Sequence, residues 1–155
     1  MDRHYPISVN YDEPDAISRM VERNHFDKQF GNMKLLTIPP VGTGQLRQEV
    51  YEVYFGEIIM GQKTLFTALK QRGIKLGFKS GFKFCDVLTA LQFALTFPDK
   101  QREYPIAIVF NDAKGQPRGN LRLYEIDGGR YVQVEDLHSD DGWNETERFL
   151  SVPEK

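Results

Sequence analysis

One segment of the sequence is apolar at every position, and it limits the folds open to this chain. Residues 106–110 form an unbroken apolar run, far shorter than the ~20 residues needed to cross a bilayer. A short run of this kind, with no polar alternation, is typical of a central strand covered on both faces. The sequence therefore predicts a sheet with this strand in its interior.

Two helices are predicted in the middle of the chain, where apolar residues recur at helical spacing. The first covers residues 62–72 and is expected to stop at Gly73, because glycine readily adopts the left-handed conformation that ends a helix. The second begins at Asp86, whose carboxylate can cap its start, and ends just before Pro98. Both helices have an apolar face, which we expect to pack against the sheet.

Strand periodicity dominates the last third of the chain. Residues 121–126 and 131–137 flank a turn at 127–129 that contains two glycines, and together they predict a hairpin. In that hairpin the two leucines of the first strand are expected to face the two valines of the second. Further strands are predicted at residues 33–38, 48–55 and 148–152.

The N-terminal residues differ from the rest of the chain. They are polar and begin irregularly, and a thin apolar stripe after Pro14 predicts one helix. We expect residues 1–31 to form a polar helical arm and residues 32–155 to form a single domain. Because helices and strands are segregated along the chain, the expected class is α+β: a largely antiparallel sheet of about five to six strands packed against two central helices.

The single cysteine restricts the chemistry and the setting that we expect. With Cys85 alone, no intrachain disulfide can form, and a reducing, cytoplasmic setting is expected. The first residues lack the basic and apolar stretches of a secretory signal, and a membrane partner is not expected. Cys85 precedes an apolar helix, where a packing role is the default. No glycine-flanked serine nucleophile is present, so neither a cofactor nor catalysis is expected.

Charge is segregated along the chain, although the net charge is only -2. Residues 58–85 contain six basic residues and no acidic one, whereas residues 125–147 contain eight acidic residues against the single Arg130. If the two stretches lie on different faces, either can attract a partner of opposite charge. The sequence therefore predicts a small binding or regulatory module that acts through charged surfaces on another protein. No pattern indicates its oligomeric state.

The basic stretch offers the candidate contacts of such a module: Lys75, Lys79 and Lys83, interleaved with Phe78 and Phe82. One alternative is a nucleic-acid-binding segment at residues 75–84, in which the lysines neutralise phosphates and the phenylalanines stack on unpaired bases. A structural interpretation is favoured, in which the phenylalanines belong to the core and the lysines form a solvated edge.

The acidic stretch offers a candidate metal loop. Counted from Asp136, oxygen or imidazole ligands fall at positions one, three, five and twelve, as in a calcium loop: Asp136, His138, Asp140 and Glu147. The glycine of such a loop should be sixth, but Gly142 is seventh. An acidic connecting loop is favoured, and the alternative is a metal-dependent enzyme or hydrolase that uses residues 136–147.

Trp143, within the same loop, has two interpretations. Tryptophan is enriched at binding hot spots, so Trp143 is a candidate anchor for a protein partner. A large aromatic ring also suits a role in fixing the acidic loop onto the sheet, and this second interpretation is slightly favoured.

Overall fold

The computed structural model describes residues 3–37 and 42–155. Within these residues the chain forms four α-helices and ten β-strands. The helices are α1 (Ala16–Asn24), α2 (Gln62–Lys75), α3 (Val87–Thr96) and α4 (Lys100–Glu103). The strands are β1 (Arg3–Asn10), β2 (Lys28–Gly31), β3 (Gln45–Tyr54), β4 (Ile59–Met60), β5 (Phe82–Phe84), β6 (Ile106–Asn111), β7 (Pro117–Ile126), β8 (Gly129–Asp136), β9 (Gly142–Trp143) and β10 (Arg148–Pro153).

Eight of these strands form one mixed sheet. Its order is β1-β3-β10-β6-β7-β8-β2, and β5 pairs with the C-terminal half of β10. Across the part of the chain that the structure describes, β10 pairs with β6 and β2 with β8 in parallel, while the other pairings of this sheet are antiparallel. The expected α+β fold with five to six strands is therefore wrong. The protein has a mixed α/β architecture with a larger sheet.

The expected N-terminal arm is also wrong, because its residues belong to the sheet and the core. Strand β1 pairs with β3 over its whole length, and Ile7 and Val9 are buried. Pro6 lies inside this strand. A sheet tolerates proline in an edge strand, because the missing amide hydrogen costs no hydrogen bond to a neighbouring strand there. Strand β2 forms the opposite edge and has four exposed residues. Both are edge strands with a weak alternation of apolar and polar residues, which is why the sequence did not predict them.

Alternate residues of β6 pack into two different cores, one on each face of the sheet. Ile106 and Ile108 belong to the larger core, beneath α1 and α3, and Ala107 and Val109 belong to the smaller core, beneath α2. We call the face beneath α1 and α3 the inner face and the face beneath α2 the outer face. The predicted central strand is therefore confirmed, since residues 106–110 are all buried.

The inner face is closed by α1 and α3, which pack against each other across the sheet. Helix α3 begins as predicted at Asp86, whose carboxylate accepts a hydrogen bond of 2.8 Å from the Thr89 amide. Tyr11, at the end of β1, donates a hydrogen bond of 2.7 Å to the same carboxylate. The N-terminal strand is thus attached to the start of the most apolar helix.

The outer face is covered by α2 and by the small sheet of β4 and β9. Helix α2 continues past Gly73 to Lys75, and Gly73 is not in the left-handed region, so the predicted stop at Gly73 is wrong. A Cβ at position 73 would lie 2.3 Å from the backbone nitrogen of Phe82. Gly73 therefore allows α2 to approach the backbone that leads into β5.

The predicted hairpin is confirmed by β7 and β8. Asp127 and Gly128 both have positive φ angles, at 51° and 83°, as a two-residue hairpin turn requires. Leu121 pairs with Val134 and Leu123 with Val132, all on the inner face. The predicted strand at 33–38 is wrong, because Met33–Leu36 is a 3₁₀ helix whose two leucines are buried. Residue 38, the last of that prediction, lies outside the described residues.

Candidate functional site

The basic stretch contributes a set of exposed lysines, which we call the basic face. It consists of five exposed lysines on α2, the loop that follows it and β5: Lys63, Lys70, Lys75, Lys79 and Lys83. None of these lysines forms an ion pair with another described residue. The acidic stretch thus does not neutralise the basic face inside the fold.

The phenylalanines between these lysines are part of the core. Phe82 is only 2% exposed, and its ring lies 5.0 Å from that of Tyr51 and 5.3 Å from that of half-buried Phe78. Phe78 and Tyr51 also meet edge to face, at 5.4 Å. The rings stabilise one another beneath the loop, so they are not presented as a platform for unpaired bases.

Two apolar side chains beside the lysines are exposed to solvent. Ile74 and Leu76, which flank Lys75, are 42% and 47% exposed. Exposed apolar area rimmed by polar side chains is a feature of protein-binding surfaces. The basic face therefore combines positive charge with a small apolar area.

The structure does not bring the four candidate metal ligands together. Asp136 pairs with Arg118, and the backbone amide of His138 donates to Asp141 at 2.8 Å. Asp140 is exposed, and Glu147 is buried in an ion pair of its own. Among the described residues, no group of three or more histidine, cysteine or acidic side chains is placed to hold a metal ion.

Trp143 is buried and is not an exposed anchor. It is 1% exposed, pairs with Ile59 in the small sheet and packs into the outer core. The ring thus attaches the acidic loop to the sheet. Cys85 is buried as well, and burial raises the pKa of its thiol well above the usual value, which keeps the sulfur protonated and unreactive.

Two neighbouring residues at the start of β10 carry buried ion pairs on opposite faces. Glu147 precedes β10, is 4% exposed and lies 3.0 Å from Nε of Arg122 on β7. Burial raises the pKa of the Glu147 carboxyl more strongly than the Arg122 charge lowers it. Arg148, the first residue of β10, lies 3.8 Å from the carboxylate of Glu52, which is 1% exposed.

The inner-face pair is surrounded by tyrosines. The guanidinium of Arg148 lies over the rings of Tyr54 and Tyr104, at 4.1 and 4.3 Å from their centroids. Both carboxylate oxygens of Glu52 and the hydroxyls of Tyr5 and Tyr104 lack hydrogen-bond partners among the described residues. Burial, together with the Glu52 carboxylate, raises the pKa of Tyr104. The Glu52 carboxylate and the hydroxyls of Tyr5 and Tyr104 are thus closed to solvent, whereas Tyr54 is 39% exposed.

The outer-face pair lies in a groove. A cavity of about 590 Å³, within the range of small-ligand sites, is lined by Arg122, Glu147, Tyr124 and the exposed side chains of Ile58 and Met60, among others. A second cavity of about 130 Å³ adjoins it and shares Arg122 and Gln133 with it. We call the two cavities the β7–β8 groove, because alternate residues of those strands form its floor.

Sequence reasoning missed this groove, although a signal was present. Asn120, Arg122 and Tyr124 alternate along β7 with the buried leucines, so a polar outer face could have been read from the pattern. The pattern alone does not reveal that a loop and the small sheet wall this face. The pairing of Arg122 with Glu147 is a contact between residues distant in sequence.

No family model, curated protein or solved structure matches this chain. The chain's own geometry is thus the evidence about its function. Among the described residues, no helix has both the length and the apolar character needed to span a membrane.

Proposed function

We propose that the protein is a small binding or regulatory module whose basic face binds an acidic surface of another protein. The observation that supports this proposal is that the five lysines are exposed and form no ion pair with described residues. Unpaired lysines attract a partner of opposite charge and speed its approach. The central contacts of the proposal are Lys75 at the end of α2, Lys79 in the loop that follows and Lys83 in β5.

The apolar side chains beside these lysines favour a protein partner over a nucleic acid. Ile74 and Leu76 offer apolar contact to a partner surface in which acidic and aliphatic side chains are mixed. A nucleic acid bound without sequence preference would use exposed aromatic rings for stacking, and Phe78 and Phe82 are engaged with Tyr51 instead.

The proposal needs no cofactor and no reaction. Binding alone is enough for a regulatory role, because a protein that binds the folded module is itself stabilised by the complex. We propose that the protein acts in the cytoplasm, where a free thiol such as that of buried Cys85 stays reduced.

The proposal is tested by reversing the central charges. A triple variant, Lys75→Glu, Lys79→Glu and Lys83→Glu, is compared with the unchanged protein in capture experiments from nuclease-treated lysate. We expect the variant to capture about tenfold less of the proteins that the unchanged chain captures, because like charges in an interface oppose binding. The captured proteins are quantified by mass spectrometry.

A second triple variant controls for net charge: Lys28→Glu, Lys114→Glu and Lys155→Glu, three exposed lysines outside the basic face. It changes the charge of the protein by the same amount and should capture the same proteins as the unchanged chain. Equal losses in both triple variants, or no loss in either, would contradict the proposal. If capture is lost after nuclease treatment, and if the captured amount without nuclease falls steeply as the salt concentration rises, the partner is instead a nucleic acid.

A further inference from the structure

The β7–β8 groove is lined by acidic side chains, whereas the basic face consists of lysines. Its two cavities adjoin at Arg122 and Gln133 and lie along the outer side of β7 and β8. The floor is made by side chains that point away from the inner core, and the wall by the small sheet and the acidic loop.

The charge of the lining selects for a cation. Five carboxylates line the two cavities: Glu125, Glu135, Asp136, Asp141 and Glu147. Arginines pair with two of them, Arg122 with Glu147 and Arg118 with Asp136. The remaining three have no ion pair with a described residue. Carboxylates gathered in a cleft raise the local concentration of cations and exclude anions.

A buried acceptor gives an independent indication of a ligand. Asn120 lines the smaller cavity and is 5% exposed, and its side-chain oxygen has no hydrogen-bond partner among the described residues. A buried polar atom without a partner is costly, and most such atoms in folded proteins find a donor. An N–H donor in the smaller cavity would satisfy this oxygen and would also lie among the acidic side chains.

The larger cavity adds apolar surface to these acceptors. Ile58 and Met60 are 62% and 61% exposed at its border, and Pro105 also lines it. Exposed aliphatic side chains beside carboxylates match a ligand that has methylene groups between its charges, as lysine stems do when they pack on apolar surface.

We propose that the β7–β8 groove binds an aliphatic polyamine cation: a methylene chain that carries two or more ammonium groups. Each ammonium group supplies only donors, which suits carboxylates and the free oxygen of Asn120. The methylene chain suits the aliphatic side chains of the larger cavity. A free polyamine and a run of lysine side chains on a peptide share this chemistry, and the experiment separates these two sources.

Binding is measured by isothermal titration at physiological ionic strength with spermidine and, separately, with tetralysine. The test variant is Glu125→Gln combined with Glu135→Gln, which removes two unpaired charges and keeps the side-chain shapes. We expect each substitution to weaken binding about threefold and the pair about tenfold, as for charges a few ångströms apart in a solvated cleft. Unfolding by urea confirms that the double variant is folded.

Glu22→Gln combined with Glu154→Gln, at two exposed positions outside the groove, is the matched control and should bind like the unchanged protein. Spermidine binding that the double variant weakens identifies a free polyamine as the ligand, and binding of tetralysine alone assigns the site to a basic peptide. The proposal is overturned if neither probe binds, if the double variant binds as tightly as the unchanged chain, or if magnesium chloride at equal ionic strength displaces spermidine completely.

Discussion

The two faces of the sheet are covered to different extents. On the inner face, α1 and α3 bury the leucines and valines of β7 and β8 completely. On the outer face, α2 and the small sheet cover the region around β3, β10 and β6, and the polar side chains of β7 and β8 border a groove. Consecutive residues of one strand therefore have different surroundings: one is buried in the inner core, and the next borders the groove.

Two arginines show what this difference does to a charged side chain. Arg130 on β8 is buried and donates hydrogen bonds to Asn24 of α1 and to the carbonyl of Ala94 in α3, so it joins two helices to the sheet. Arg122 on β7 pairs with Glu147 and donates to the Gly142 carbonyl, yet its side chain stays 31% exposed at the groove. The buried cation is held by hydrogen bonds to two helices, whereas the partly open one borders the groove.

The largest expected effect contrasts neighbouring residues on β7. Leu123→Ala removes a fully buried inner-face side chain and should lower the free energy of unfolding by about 2–5 kcal/mol, because the cavity it leaves cannot fully collapse. Tyr124→Ala, on the outer face, should cost about 1 kcal/mol, mainly from its contact with Tyr131. Urea unfolding of both variants measures the difference, and equal costs would show that the two faces are equally covered.

A smaller effect is expected where α2 attaches to the outer face. Glycine to alanine inside a helix usually stabilises it by up to about 1 kcal/mol. Gly73→Ala should instead destabilise the protein by about 1–3 kcal/mol, because the new methyl group would meet the Phe82 backbone. Thr67→Ala, on the exposed side of α2, is the control and should leave stability unchanged or slightly higher. A gain in stability for Gly73→Ala would mean that the helix does not approach β5 so closely.

The smallest effect concerns the pH dependence of the groove's ion pair. Since burial raises the pKa of Glu147 in the folded protein, its contribution to stability is greatest below about pH 4.5 and falls as the pH rises through the folded-state pKa. Glu147→Gln removes this titration, so the stability of the variant relative to the unchanged protein should rise over that interval by on the order of 1 kcal/mol.

Urea unfolding from pH 4 upward, in steps of about half a pH unit, measures this change across the interval. Glu145→Gln, an exposed neighbour in the same loop, serves as the control and should follow the unchanged protein. A constant difference between Glu147→Gln and the unchanged protein at every pH would show that Glu147 is more open to water than its position in the groove indicates.

The elements that could be predicted from the sequence are those whose cause is local. The apolar run at 106–110, the cap at Asp86 and the glycine turn of the hairpin each specify their structure within a few residues. The edge strands β1 and β2 could not be predicted in this way. Their pairing depends on β3 and β8, and their own residues carry a proline or too short a pattern.

The same distinction holds for the sites. The exposed lysines of the basic face follow from their sequence pattern, and so does the preference for phenylalanines in the core. The groove does not follow from it, because its ion pair joins Arg122 to Glu147 and its walls come from the small sheet and the acidic loop. Of the four residues chosen by the spacing of a metal loop, Asp136 pairs with Arg118 and Glu147 pairs with Arg122 instead of meeting at a metal site.

The sequence by itself determined the central strand, the two amphipathic helices, the hairpin and the segregation of charge, because each depends on short-range periodicity or composition. Only the tertiary structure decided that the N-terminal residues complete the sheet, that Gly73 serves a close contact rather than a helix end, and that the acidic stretch borders a groove. The physical reason is that burial and ion pairing depend on residues brought together across the chain, and these contacts leave no periodic signal in the local sequence.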